Sequence, residues 1–509
     1  MILTKTKNTI NGVISGVINQ LITTLLPFVL RTVMIYVLGM EYAGLNSLFT
    51  SILSVLSLAD LGFSTAVIYY MYQPIKENNT ELICQLLGYY KIIYLWVGSI
   101  IGIMGILVMP FLHIFVKTDC PSDLNLYLLY MAFLLNTVIT YFFGGYRISL
   151  LLAHQRNDIY TIIGTFINGL GYILQIAALL IFKKYYLYLI LMILINLALT
   201  VAEAHKATVM YPEYYPKKGL GKSDRKEIKG KVCDLLYQKI GSTVSVSLDS
   251  VIISTYLGVT AVAVYGNYFY VFTAALNMIN ILYNVLTAGI GNKILVSSLE
   301  ENYTVFKRLN FVNHFLITFF CTCLLCLYQP FMEIWVGKKY MYTIFIVLLF
   351  VVYFFISGSR KMILTYKDAL GMWHIDRWKP IIACGVNLVL NIMLVKYIGV
   401  AGAIISTIIS YVVVEMPWET YVLYKNYFKC SQKNYYKNFF LNGLSTVFVG
   451  GITFLINSHI VLHNLYLGLF LKAILTVLIS LFLLHIIYNR NEDYHYIRST
   501  LIKHFLKRN

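Results

Sequence analysis

Tyr36-Val-Leu-Gly39, followed by Gly44-Leu-Asn46-Ser-Leu-Phe49, returns in loose form as Thr255-Tyr-Leu-Gly258, followed by Tyr265-Gly-Asn267-Tyr-Phe269, about 220 residues further on. In each copy an apolar run closes on Leu-Gly, and a second apolar run carrying an Asn opens shortly after it. Such an echo predicts two lobes of similar construction, each a set of membrane-crossing helices. Outward from these two joints, apolar runs of roughly 20 residues, enough to cross about 30 Å of hydrocarbon, recur from Val13 to Tyr488. Of 509 residues, 59% are hydrophobic and 12% charged, where a soluble domain carries roughly 25% charged residues. The mean hydropathy is +0.73. An ordinary soluble enzyme is excluded, and the expected class is an all-α, polytopic membrane protein.

Apolar runs set against Lys- and Arg-rich gaps predict about 14 helices. They run over 10–38, 43–71, 85–111, 125–151, 159–182, 186–206, 233–257, 263–291, 308–328, 341–368, 380–396, 401–424, 439–459 and 465–488. The net charge of +18 gains its meaning from placement. Of 40 basic residues, only Lys117, Lys183, Lys184, Lys338, Lys339 and Lys396 fall in gaps on the side opposite the N-terminus. The positive-inside rule then puts both termini in the cytoplasm. The largest gap, with Lys217, Lys218, Lys222, Arg225, Lys226, Lys229 and Lys231, reads as a basic cytoplasmic linker near anionic headgroups. The expected organisation is therefore an N-terminal lobe over 1–210, a linker over 211–232, a C-terminal lobe over 233–430, and two appended helices with a basic tail over 431–509.

Polar residues line up inside several of these segments at about 100° per residue. They are Gln20, Thr24 and Arg31 around Pro27; Asn46, Thr50, Ser57, Asp60 and Ser64; Asn136, Thr140, Arg147 and His154; Gln238, Ser242, Ser245 and Asp249 beside Lys239; and Tyr353, Ser357, Arg360 and Lys367. Glu415 lies within the twelfth segment. Such stripes are expensive against lipid and should face one another or a watery cavity. Snorkelling toward the cytoplasmic interface is one account of Arg147, Lys239, Arg360 and Lys367 that needs no ligand, and a ligand role is the other. Arg31, Asp60, Asp249 and Glu415 need a partner or a transport role. Five basic candidates against three acidic ones favour an anionic cargo.

Other chemistries are poorly represented. Of eight cysteines only Cys321, Cys323 and Cys326 cluster, with no His or acidic neighbour to complete a zinc set, so all are expected to be buried thiols. Neither a phosphate-cradling Gly-rich loop nor a His-Glu-x-x-His pair is present. No cleavable signal is apparent in front of the first apolar run, which should remain as a helix.

The segments Leu38-Gly39-x4-Gly44-Leu-Asn-Ser-Leu-Phe49, Leu58-Ala-Asp-Leu-Gly62, Tyr72-Gln-Pro-Ile75, Tyr265-Gly-Asn-Tyr268, Lys367-Asp-Ala-Leu-Gly371 with Asp376-Arg377, and Gly399-Val-Ala-Gly-Ala403 follow in order across the predicted helices. Together they resemble the polysaccharide transporter family, with its Wzx-type oligosaccharide flippases, of the MATE-like multidrug/oligosaccharidyl-lipid/polysaccharide (MOP) superfamily. The likeness covers about the first 430 residues, and Asp60 stands where relatives more often carry Glu. It implies a V-shaped fold of two six-helix lobes plus two C-terminal helices, and a flippase acting by alternating access in a bacterial cell membrane. The implied cargo is an undecaprenyl-diphosphate-linked oligosaccharide for capsule, O-antigen or exopolysaccharide synthesis; membrane lipids, a polysaccharide polymerase and assembly proteins are the other implied partners, and nucleic acid is not one. A diphosphate needs cations in a wet cavity, for which Arg31, Arg147, Lys239, Arg360 and Lys367 are the candidates, with Asn46 and Asn267 toward the sugar. Asp60, Asp249 and Glu415 are candidates for ion pairing or for carrying a coupling proton or sodium ion; no other cofactor or metal is expected, and no enzymatic activity. The alternatives are a multidrug or cation antiporter on the same scaffold, a lipid II flippase, and, from another class, a membrane glycan polymerase or ligase.

Overall fold

The computed structural model describes residues 22–116, 120–372, 374–460, 462–496 and 499. Gln20 and the start of the first apolar run lie outside them. Apolar periodicity alone makes the chain helical, and no strand occurs among the described residues. Helices occupy all fourteen predicted stretches. Ten of them are long and apolar enough to span a membrane, and a bent pair makes an eleventh. Among the described residues the expected count of 14 is thus not confirmed, for three local reasons. Of the first predicted stretch, the described part is Ile22–Val37 (α1), which is too short to count. The second stretch is interrupted at Ser57 between α2 (Met40–Leu56) and α3 (Leu58–Lys76). The seventh, α9 (Lys222–Leu257), is highly charged in its first half.

By packing, the chain separates into Met1–Gly266 and Asn267–Asn509. In the first unit, α9 packs on α2 and α3, and α4 (Thr80–Val108) lies against α3. Leu126–Phe142 (α5) and Ile148–Ala153 (α6) form the bent pair, at 52°, with Gly144 in the left-handed region at the bend. The polar stripe predicted from Asn136 to His154 is therefore broken between two helices. Asn157–Phe182 (α7) and Tyr185–Met210 (α8) pair with each other, and α8 also packs on α5.

The expected linker over 211–232 is not one irregular strap. Its second half is the start of α9, which at 36 residues is about 54 Å long and so exceeds the hydrocarbon thickness. Its first half is docked. The Lys217 amide donates to the Cys84 carbonyl at 3.0 Å, and the Lys217 ammonium meets Glu81 at 2.9 Å, which holds the ammonium above its ordinary pKa. Tyr211 stacks on His154 with ring centres 4.0 Å apart. The first packing unit consequently keeps α9 as its own, rather than ending at residue 210.

The helix α10 (Val259–Val296) leads into the second unit, which continues with α11 (Leu299–Val336), α12 (Ile344–Ser359), α13 (Lys361–Ala369), α14 (Lys379–Ile398), α15 (Val400–Ser410), α16 (Met416–Leu423), α17 (Lys433–Ser458) and α18 (Leu465–Tyr488). Here α11 is central, packing on α12, α17 and α18, while α14 and α15 form a tight pair. Tyr268, from the Tyr-Gly-Asn-Tyr motif, is fully buried and ties three segments together. Its hydroxyl donates to Gln329 Oε1 at 3.0 Å and accepts from the Tyr342 amide at 3.0 Å, and its carbonyl accepts from the Tyr328 hydroxyl at 2.6 Å.

The echo has a structural counterpart. Gly39 and Gly258 both sit between consecutive helices at positive φ, 124° and 87°, where a Cβ is strongly disfavoured. Gly44, downstream of the first joint, lies so close to the Val259 carbonyl that an added Cβ would strike backbone. Of the thiols, Cys84, Cys321 and Cys326 are buried as expected, whereas Cys120, Cys323 and Cys384 are half-buried and Cys430 is exposed. No metal-binding group of His, Cys, Asp or Glu occurs among the described residues.

Candidate functional site

Two polar centres stand out, one in each unit. In the first, α1 brings Arg31 beside the joint between α9 and α10. Its Nη1 donates to Ser47 Oγ at 3.1 Å and its Nη2 to the Ala263 carbonyl at 3.2 Å. A Cβ on Gly266 would lie 2.9 Å from Nη2, so glycine there leaves room for the guanidinium. One residue before Ser47, the Asn46 amide donates to the Tyr188 hydroxyl at 2.9 Å, and Tyr188 stacks on Tyr185. Asp249, 3% exposed, accepts from the Tyr265 hydroxyl at 3.3 Å.

Tyr188 also borders a cavity of about 310 Å³ lined by Asn136, Asn168, Tyr172, Gln175 and Asn196. Asn196 donates to the Asn136 carbonyl at 2.7 Å. Arg147 sits apart, at the start of α6, where it donates to Thr208 Oγ1 and, at 3.2 Å, to the Tyr146 hydroxyl. Its partners among the described residues are neutral, so its charge is not cancelled locally. The side chains of Asp60 and Lys239 lie outside what is described.

The second centre is a closed chain of charges. Arg360, 4% exposed, caps the break between α12 and α13. It grips Glu419 as a fork, with Nε to Oε2 at 3.0 Å and Nη2 to Oε1 at 2.7 Å, and also donates to Glu415. Its guanidinium carbon stands 4.1 Å from the centre of the Tyr411 ring. Lys379 donates to Glu419 at 2.5 Å and lies 3.7 Å from Asp376, which in turn accepts from Lys367. Three cations thus face three carboxylates, and Arg360, Lys367, Asp376, Lys379 and Glu419 are all buried.

The local fold aims these groups. Tyr411–Glu415 is a π turn, and Pro417 follows it. Pro417 cannot return an N–H to the carbonyl four residues back, and the chain widens before it, turning Tyr411 and Glu415 toward Arg360. Each ion in this chain is held by an opposite one. This makes isolated binding of an external diphosphate by Arg360 and Lys367 costly, because it would take Arg360 from Glu415 and Glu419 and Lys367 from Asp376, leaving Lys379 to face the latter two carboxylates.

Of the expected ligands, the structure brings Arg360, Lys367 and Glu415 together. It places Arg31 with Ser47, next to Asn46, and sets Arg147 elsewhere in the first unit. Asn267 is fully buried on α10. Glu419, Lys379 and Asp376 were not singled out as site residues. Glu419 could have been found four residues after Glu415, on the same helical face. Glu203 was missed too. It is 3% exposed in the spanning helix α8, across from Gly164 and Asn168 on α7.

No family model matches the chain, and no curated protein matches it. Solved structures do. Lipid II flippase MurJ in an inward closed conformation superimposes with a TM-score of 0.65 at 13% identity, covering 94% of this chain and 99% of that one. An inward-facing multidrug resistance MATE family transporter of the MOP superfamily gives 0.60 at 13% identity, covering 81% and 97%. A MOP superfamily transporter from Pyrococcus furiosus, with a binding pocket of reversed polarity, gives 0.53 at 12% identity, covering 82% and 95%. At these identities the likeness is one of fold. The chain has the all-helical membrane fold of MurJ and the MATE transporters.

Proposed function

We propose that the chain is a flippase that carries a polyprenyl-diphosphate-linked oligosaccharide from the cytoplasmic to the outer leaflet of a bacterial cell membrane, exposing its site to each leaflet in turn. The observation that carries this reading is the near full-length likeness to a lipid II flippase, 94% of this chain against 81% for the first MATE transporter. The larger share is of the order of the two C-terminal helices, α17 and α18. Arg31 and Arg147 supply cations for the diphosphate at separate points of its passage, and Arg147, held by hydroxyl oxygens, keeps the fork geometry suited to phosphate. The sugar is met by amides and tyrosines such as Asn46 and Tyr188. Arg360, Lys367 and Glu415 are reassigned to holding the second unit together. Both termini face the cytoplasm in this reading, and transport, not covalent change, is the activity.

A lipid II flippase is the second reading, favoured by the name of the structural neighbour, and a cation antiporter is the third, favoured by the MATE likeness. The purified chain in proteoliposomes separates them. Lipid-linked oligosaccharide is expected to become accessible from the opposite leaflet at a rate that depends on the protein, with lipid II moved more slowly and a cationic dye not accumulated. Dye accumulation against a cation gradient without lipid movement would overturn the proposal.

A further inference from the structure

At the end of α11, α17 and α18 that the distribution of basic residues assigns to the cytoplasm, a pocket of about 380 Å³ opens within the second unit. His314 and Asn310 on α11 line it, one turn apart and 1% and 6% exposed. Among the described residues neither ring nitrogen of His314 has a hydrogen-bond partner, nor does Asn310 Oδ1. Buried polar atoms are rarely left so, because each orphaned group costs its desolvation. Around them α17 presents Asn438, Asn442 and Ser445. The Tyr488 hydroxyl donates to Asn442 Oδ1 at 3.0 Å, which assigns the other amide atom of Asn442 as a donor. Lys307 and Lys437 stand exposed at the rim. Among the described lining residues the one carboxylate, Asp493, lies 3.5 Å from Arg308, so the rim remains cationic.

Two ammonium groups above a floor of amide and imidazole donors form the complement of a phosphate carrying net negative charge. Phe440, Leu444, Val447 and Phe448 on the same helix, α17, are 68%, 67%, 73% and 55% exposed, so the helix that walls the pocket also faces hydrocarbon. We propose that this pocket binds the phosphate headgroup of an anionic membrane lipid, at a site separate from Arg31 and Arg147 and independent of whether the chain transports an oligosaccharide. Lys307 and Lys437 attract the phosphate, His314 donates to it, and Asn438 and Asn442 fix its orientation.

Thermal unfolding of the purified full chain in neutral detergent, with added phosphatidylglycerol, phosphatidylcholine or inorganic phosphate, tests this. Phosphatidylglycerol is expected to raise the unfolding midpoint saturably, with at least ten times the apparent affinity of phosphatidylcholine. A rise with phosphatidylglycerol alone identifies a lipid headgroup. A rise with inorganic phosphate that competes with phosphatidylglycerol identifies the same phosphate chemistry from a soluble source. The surface variant Lys307→Gln/Lys437→Gln, which leaves the core untouched, should lower the affinity at least tenfold. His314→Phe should abolish the shift while leaving the lipid-free midpoint equal or higher, because an orphaned imidazole is removed. Equal responses to both lipids, or an unchanged phosphatidylglycerol response in both variants, would overturn the proposal whatever the transport assay shows.

Discussion

Arg360 and Arg147 look alike in sequence, each a basic residue toward the cytoplasmic end of an apolar run, yet their surroundings make them opposites. Arg360 is saturated by Glu419 and Glu415, and its removal would take the cation from Glu415 and leave Glu419 with Lys379 alone. Breaking one partner of a buried ion pair costs about 3–5 kcal/mol, so Arg360→Ala should sharply lower the unfolding midpoint and the yield of folded protein. Arg360→Lys should recover only part, because a point charge cannot span both oxygens of Glu419. Differential scanning fluorimetry in detergent reads both. Arg147, bound to hydroxyls, should behave in reverse. Arg147→Ala is expected to leave the midpoint within about 1 kcal/mol of stability while slowing flipping about tenfold or more, the worth of one charged hydrogen bond. Flipping at the unaltered rate would remove Arg147 from the proposed diphosphate site. Residue type and depth were legible in the sequence. What separated the two arginines was not, because Glu415 and Glu419 meet Arg360, and Thr208 meets Arg147, only through contacts made across segments.

At the scale of elements, helix existence followed from apolar periodicity, but the ends did not. The start of α11 was placed at 308, where the apolar run begins, although Ser298-Leu-Glu-Glu301 is a capping signal ten residues earlier. Ser298 Oγ accepts from the Glu301 amide at 3.3 Å, and Asn79, Asn125 and Asn464 cap α4, α5 and α18 in the same way. Interruptions inside spans were harder to see, since Ser57 and Arg360 carry no breaker signal, and 125–151 and 401–424 read as continuous despite Gly144 and Pro417. The glycine joints carry a further expectation. Gly44→Ala should push α2 away from the first turn of α10, because the added methyl group meets the Val259 backbone rather than a yielding side chain. Overpacking of this kind costs about 1–3 kcal/mol, to be seen as a lowered unfolding midpoint, whereas Gly230→Ala, with open space at its Cβ, should leave the midpoint unchanged or raise it.

For the whole molecule, the distribution of basic residues predicts an orientation that labelling can check. A cysteine at 222 in a background free of reactive thiols should resist a membrane-impermeant maleimide on intact cells, while one at 338 should react; the reverse pattern would invert the assignment. Energy coupling belongs to the same scale. If Asp249 exchanges a proton or sodium ion during transport, its affinity must differ between the two access states, since a ligand shifts an equilibrium only through differential binding. Flipping in proteoliposomes should then accelerate under an imposed gradient of that ion, and Asp249→Asn should remove the acceleration. Equal rates with and without gradients would leave the cargo's own concentration difference as the drive. The charge chain of Glu415, Arg360, Glu419, Lys379, Asp376 and Lys367 bears on a different force. With three positive and three negative groups locked together it has no net charge, and an object without net charge does no work when displaced through an electric field, against about 2.3 kcal/mol per elementary charge for each 100 mV. Movement of this cluster is therefore voltage-silent to first order, and any voltage dependence of turnover has to arise from the cargo or from charges elsewhere in the chain.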